Sequence, residues 1–298
     1  MNACQRIELP ARAVIRLEGA EAKSFLNGLI SNDTGRIGPE RAIYAALLTP
    51  QGKFLHDLML AEQGDGALLL ETEAARAPEL LKKLTMYRLR AKVSFTPLEG
   101  WKVFALIGPE APQALTLAAA AGTAKAFQSG VAFIDPRLAA LGARILLPPG
   151  EAIALGEPAG FDDYDRLRIS LGVPDGARDI EIDKGLLMEN HFEALNGVDF
   201  RKGCYVGQEL TARTKHRGLV KKKLYRVHAL DGAAALPGPD TPITLDGAEA
   251  GILRSASGTE GLALLRIEAV EKAAGGMGRL EAGGVALEAR APAYMLPG

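Results

Sequence analysis

The residues able to do chemistry crowd into 196–218, which reads NGVDFRKGCYVGQELTARTKHRG. Cys204 stands between Gly203 and Tyr205, with Arg201 and Lys202 just upstream. Cations beside a thiol favour the thiolate, the form that attacks electrophiles and binds metals. Glycine beside a functional side chain lets the backbone bend and lets a ligand or partner come close. The run 208–213 is rich in helix formers, and Gly218 sits where a helix would stop. On that helix Glu209 and Arg213 are four apart and share a face. Two readings follow from residue types. Cys204 is either a reactive or metal-seeking thiol at a loop-to-helix entry, or a small buried hydrophobe in a glycine turn.

The elements that must position this stretch are legible as two cycles and a tail. Residues 13–17 alternate like a strand, and 20–30 carry Phe25, Leu26, Leu29 and Ile30 on one helical stripe. Runs 43–48 and 54–61 read as a hairpin turned by Pro50-Gln51-Gly52, with a third strand at 67–71. Leu80, Leu81, Leu84 and Tyr87 mark a helix starting near 74, before a strand at 92–96. The second cycle has strands at 101–107, 131–134 and 143–147, and an alanine-rich helix over 111–121. Two such β-α-β-β cycles predict an α+β chain with a pair of ferredoxin-like lobes. A helix over 162–171 ends at Gly172-Val173-Pro174, and 175–190 reads as a long loop over a surface or site. Short strands at 224–227, 243–245, 251–254, 262–267 and 285–289 then predict a small antiparallel β-barrel. The domains expected are therefore 1–218 and 219–298, with Lys221-Lys222-Lys223 as a solvated lip between them.

Composition narrows the class. The chain has 298 residues, 48% hydrophobic and 24% charged, with a formal net charge of −1. That balance suits a globular protein and argues against an extended nucleic-acid surface. Cys4 and Cys204 are too far apart to form a disulfide framework or a self-contained metal site. No HxxxH or HExxH spacing occurs, so no metal site is expected within the chain. No basic stretch followed by an apolar run stands at the start, and no apolar run reaches the length of a membrane span. A cytoplasmic protein without membrane contact, acting as a monomer, is the expectation.

Lys202-Gly203-Cys204-Tyr205-Val206-Gly207-Gln208-Glu209, followed by Arg213, resembles the signature of the YgfZ family. These are folate-dependent proteins of iron–sulfur cluster assembly and repair, relatives of the aminomethyltransferase (T-protein) of the glycine cleavage system. The likeness extends to 48–53 (LTPQGK), 87–93 (YRLRAKV), Gly172-Val173-Pro174 and Glu189-Asn190. The stretch 172–180, with 211–214, is more similar to the mitochondrial branch and its bacterial counterparts. The resemblance implies a T-protein-like folate-binding fold, tetrahydrofolate or a one-carbon derivative as cofactor, and iron–sulfur carrier or client proteins as partners. It implies Cys204 and Lys202 as the working residues. Asp57, Tyr87, Arg88, Glu189, Gln208, Glu209 and Arg213 are the implied folate contacts.

Two departures bear on activity. The relative has adjacent aspartates where this chain has His56-Asp57, and a strand sends such neighbours to opposite faces. The relative also has a Glu in an Arg-Leu-Glu run where Arg168-Ile169-Ser170-Leu171 has no acid. Whether any reaction is catalysed therefore stays open. The alternative function is a tetrahydrofolate-dependent one-carbon transferase acting on a small amine. Cys204 alone cannot hold a cluster, since clusters are normally held by four protein ligands.

Overall fold

A computed structural model describes residues 4–218, 220–230 and 235–296. Two compact units interleave along the chain. One takes Met1–Tyr164 and Leu195–Gln208, the other Asp165–Ala194 and Glu209–Gly298.

The first unit holds two sheets. The five-stranded sheet runs Ile43–Leu48, Phe54–Glu62, Leu68–Glu73, Arg12–Glu18, Ser94–Pro97, with every neighbouring pair antiparallel. All six residues of Ile43–Leu48 are buried, as expected of a strand covered on both faces. The hairpin at 49–53 turns on Gly52, whose φ of 79° is left-handed and costs glycine nothing. Leu58, Leu60 and Leu70 point to the face where Leu80 and Leu84 of the helix Ala77–Arg88 pack, four apart on one stripe. Odd-numbered Asp57 and Glu71 therefore point the other way.

The second sheet runs Glu157–Pro158, Gln5–Glu8, Lys102–Ile107, Ala143–Leu147, Gly130–Ile134, Ala124–Phe127. Three of these strands, Gln5–Glu8, Ala124–Phe127 and Glu157–Pro158, escape the sequence pattern because they are short and lie toward the sheet edges. The helix expected over 111–121 is only Ala111–Ala114. Thr116 takes a φ of 54° and Gly122 a φ of 83°, so the chain turns into Ala124–Phe127 despite the alanines' helix preference. Leu115, just before that turn, is packed in the core.

In the second unit, residues 175–190 are more ordered than a loop. A short helix Gly176–Asp179 and a 3₁₀ turn Leu187–Asn190 lie within them. Fully buried Arg168 gathers Asp165, Asp179 and the Ser255 hydroxyl, and Ser255 also donates to Asp179. The barrel closes in the order Lys222–Ala229, Glu260–Arg266, Ala248–Ser257, Pro242–Leu245, Leu280–Ala282, Val285–Arg290. Leu280–Ala282 is a sixth strand that the glycines around it conceal in the sequence. A helix, Ile267–Ala274, follows the strand that ends at Arg266. The α+β class and terminal antiparallel barrel match the patterning. No helix among the described residues is long and apolar enough to cross a membrane.

Candidate functional site

Cys204 is exposed, whereas Cys4 is buried with 7% of its surface open. The thiol is displayed by a loop fastened at three points, all within the first unit. Lys202 Nζ donates to the carbonyls of Asn27, Ile30 and Asn32 at 2.7, 2.6 and 2.8 Å, using all three ammonium protons. The first of these is the last residue of the helix Ala22–Asn27, where a carbonyl has no partner within the helix. The Lys202 ammonium also sits 5.0 Å from the centre of the Tyr205 ring. Burial pulls Lys202 down to about 8, against the pull of Asp33 and Asp199. Val206 N donates to Gly28 O at 3.1 Å, the second fastening.

Gly207 supplies the third. Its φ is 81°, and a Cβ there would overlap the Thr49 carbonyl oxygen and crowd Gly52. The loop thus lies directly against the 49–53 hairpin, where only glycine fits. Gln208 starts the helix Gln208–Arg217 and its Oε1 accepts from Tyr205 N at 3.3 Å, closing the turn. Gly203 differs: a Cβ there would meet nothing within 4 Å. The side of the loop next to Cys204 is open.

Asp57 is placed elsewhere, in a buried ionic seam between the two sheets. Its carboxylate accepts from Arg12 Nη1 at 3.3 Å. Arg12 Nε donates to Glu71 at 2.9 Å, and Glu71 accepts from Arg144 Nη1 at 3.2 Å. Arg144 and Arg137 share Asp135, and both donate to the Tyr164 hydroxyl. Burial pushes Asp135 up, but Arg137 and Arg144 outweigh it and hold the carboxyl below its usual range. Three arginines and three carboxylates alternate through this seam. Apart from Asp57, the motif reading missed it. The signal was present as Arg144 inside Ala143–Leu147, a charge at an inward position of an apolar strand.

His56 faces the helix side, buried, with Glu79 at 3.8 Å. Neither ring nitrogen has a hydrogen-bond partner among the described residues. Burial lowers its pKa to about 4, Arg76 and Lys83 adding to the effect while Glu79 and Asp57 oppose it. The folded state then binds fewer protons than the unfolded state between about pH 4 and 6.5. Stability is complete above that window and falls as pH drops through it, by about 3 kcal/mol in all. His56→Gln should flatten this part of the urea-unfolding profile. An unchanged slope between pH 6.5 and 4 would assign the acid sensitivity to other groups.

Of the remaining candidates, Tyr87 is half-buried against the five-stranded sheet's core, and Arg88 is exposed in the last turn of Ala77–Arg88. Glu189 lies half-buried in the 3₁₀ turn of the second unit. Glu209 and Arg213 pair with each other on the exposed face of Gln208–Arg217. Among the described residues no group of three or more His, Cys, Asp or Glu side chains could hold a metal ion.

Residues 2–137 match the GCVT N-terminal domain, and residues 221–296 match the C-terminal beta-barrel domain of CAF17. Human mitochondrial iron-sulfur cluster assembly factor IBA57 is 36% identical over 288 residues, covering 90% of this chain and 79% of that protein. The mouse protein of the same name is 35% identical over 88% of this chain and 78% of its own length. The chain belongs to the CAF17/IBA57 family. Among solved structures, glycine cleavage system aminomethyltransferase T from Bartonella henselae matches with a TM-score of 0.76. The match covers 99% of this chain and 87% of that one at 16% identity, a likeness of fold alone. What the resemblance to YgfZ proteins shares with these matches, a T-protein-like fold in an iron–sulfur assembly family, holds for this chain. The expectation of a cytoplasmic protein does not hold, because these CAF17/IBA57-family relatives are named mitochondrial. Cysteine usage reports redox conditions and cannot separate one reducing compartment from another.

Proposed function

We propose that this protein supports assembly or repair of iron–sulfur clusters on other proteins, as YgfZ-family members do, with Cys204 as the working thiol and reduced folate as a bound ligand. The observation that carries the reading is an exposed Cys204 on a loop fastened by Lys202, Val206 and Gly207. Fastening fixes where the thiol stands while leaving it open to a partner, and a cluster contact then needs further ligands from that partner. Lys202 acts as a positioning residue, since its ammonium protons are spent on carbonyls. The engagement of Asp57 by Arg12 and the neutral His56 beside it support a folate-binding factor over an aminomethyl transferase.

Cys204→Ser should leave stability within about 0.5 kcal/mol, as for other exposed substitutions, yet abolish support of cluster-dependent enzymes in cells lacking the native protein. Native Cys204 should alkylate much faster than Cys4, read by mass spectrometry after a timed iodoacetamide pulse. Full complementation by the serine variant would remove the thiol from the mechanism.

Folate binding rests on the fold. Tetrahydrofolate at about 100 times its dissociation constant should add roughly 2.7 kcal/mol to stability, visible as a higher Tm under reducing conditions. A melt unmoved across a wide range of tetrahydrofolate concentrations would count against the ligand.

A further inference from the structure

One cavity has no part in the site above. It is built wholly from the second unit and has a volume of about 480 Å³. It includes none of the residues assigned to the thiol or to folate. Its apolar lining comes from Met188, Val220, Ile267 and Met295. Two unbranched thioethers beside two branched aliphatics make a surface that adapts to varied apolar shapes. The volume lies within the range of about 300–1,000 Å³ that holds small organic ligands.

The charged and titratable groups lining this cavity are His191, Glu193, Lys215 and Lys223. Lys215 is paired with Glu193, so those two charges cancel. Lys223 is half-buried and forms no ion pair among the described residues. Its charge is close enough to His191 to help hold that imidazole neutral, after the larger effect of burial. His191 itself is rigidly placed. Its Nε2 is 2.7 Å from Leu224 O and must donate to it, and its ring meets Tyr294 edge-on at 5.9 Å. Its backbone is left-handed, with φ 58° and ψ 24°, which is uncommon for a residue other than glycine. The cavity therefore offers apolar walls, one uncharged imidazole, and one uncompensated cation at Lys223.

We infer that this cavity binds a small organic anion with an apolar body, its acid group on Lys223 and its hydrocarbon against Met188, Val220, Ile267 and Met295. The sequence feature Lys221-Lys222-Lys223 is then divided in role. Lys222 reaches toward Glu249 at 4.0 Å, while Lys223 belongs to the cavity. An ammonium on an aliphatic stem suits this division, because its stem covers apolar surface while its charge meets the acid.

The test uses three probes of matched size on the full chain: 4-phenylbutyrate, 4-phenylbutanol and 4-phenylbutylamine. Binding is followed by the methyl signals of ¹³C-labelled Met188 and Met295. The acid should bind saturably and shift both methyl signals, the alcohol more weakly, and the amine least. Lys223→Gln should weaken the acid about fivefold or more, the loss of one charge-assisted contact, and leave the alcohol unchanged. Val220→Trp, which fills the cavity, should remove binding of all three. If Lys223→Gln fails to fold, the order of the three probes on the native chain still decides. Equal binding of acid and amine, or methyl signals unmoved by any probe, overturns the inference. Because no folate is used, failure here leaves the reading of Cys204 and tetrahydrofolate untouched.

Discussion

Glu71→Gln is expected to cost about 3–5 kcal/mol of folding stability, the scale for removing one member of a buried ion pair. Glu71 is fully buried, and one of its oxygens takes both Arg12 and Arg144, the link between the two sheets of the first unit. Neutralising it leaves two guanidinium groups out of water with one acceptor charge fewer. The loss follows from stranding them, not from the net worth of the pair, which is small once desolvation is counted. A contrast comes from Glu18, exposed and paired with Arg16, where Glu18→Gln should cost no more than about 1 kcal/mol. Urea unfolding of the two variants checks this directly. A Glu71→Gln protein as stable as the native chain would mean that the seam relaxes or admits water.

Gly207→Ala should lose about 2–4 kcal/mol, combining a left-handed backbone that alanine adopts under strain with a Cβ driven into the Thr49 carbonyl. The hairpin backbone at 49–53 cannot yield cheaply, so the 202–208 loop must lift instead. Lifting it would draw Lys202 from its three carbonyls and displace Cys204. Support of cluster-dependent enzymes should therefore fall together with stability, and limited proteolysis should cut near Cys204 sooner than in the native chain. Gly203→Ala is the control. Its Cβ would meet no atom, so stability should change by no more than about 0.5 kcal/mol. If Gly207→Ala kept native stability and proteolytic resistance, the loop would not be fastened as described.

The amino-acid sequence alone determined the pieces whose signal is local. Short, mostly apolar runs located the strands 43–48 and 143–147 at the bounds the structure has, because a strand buried on both faces must write its burial into neighbouring residues. Leu80 and Leu84 marked their helix for the same reason. The chemistry of 202–209 was legible too, since a lone cysteine among glycines and cations is distinctive in residue type. What sequence could not supply is which groups meet. Lys202 looked like a partner for the thiol; tertiary structure spends it on the end of a helix 170 or more positions away in the chain. Asp57 is singled out by resemblance as a folate contact; folding places it in a seam with Arg12, Glu71 and Arg144, drawn from two different sheets. Gly203 and Gly207 look alike on paper, and only the approach of the 49–53 hairpin separates a glycine that is required from one that is not. Periodicity reports whether a side chain is buried. Its partner across the core depends on how separate strands register and stack, and that information appears only when the chain has folded.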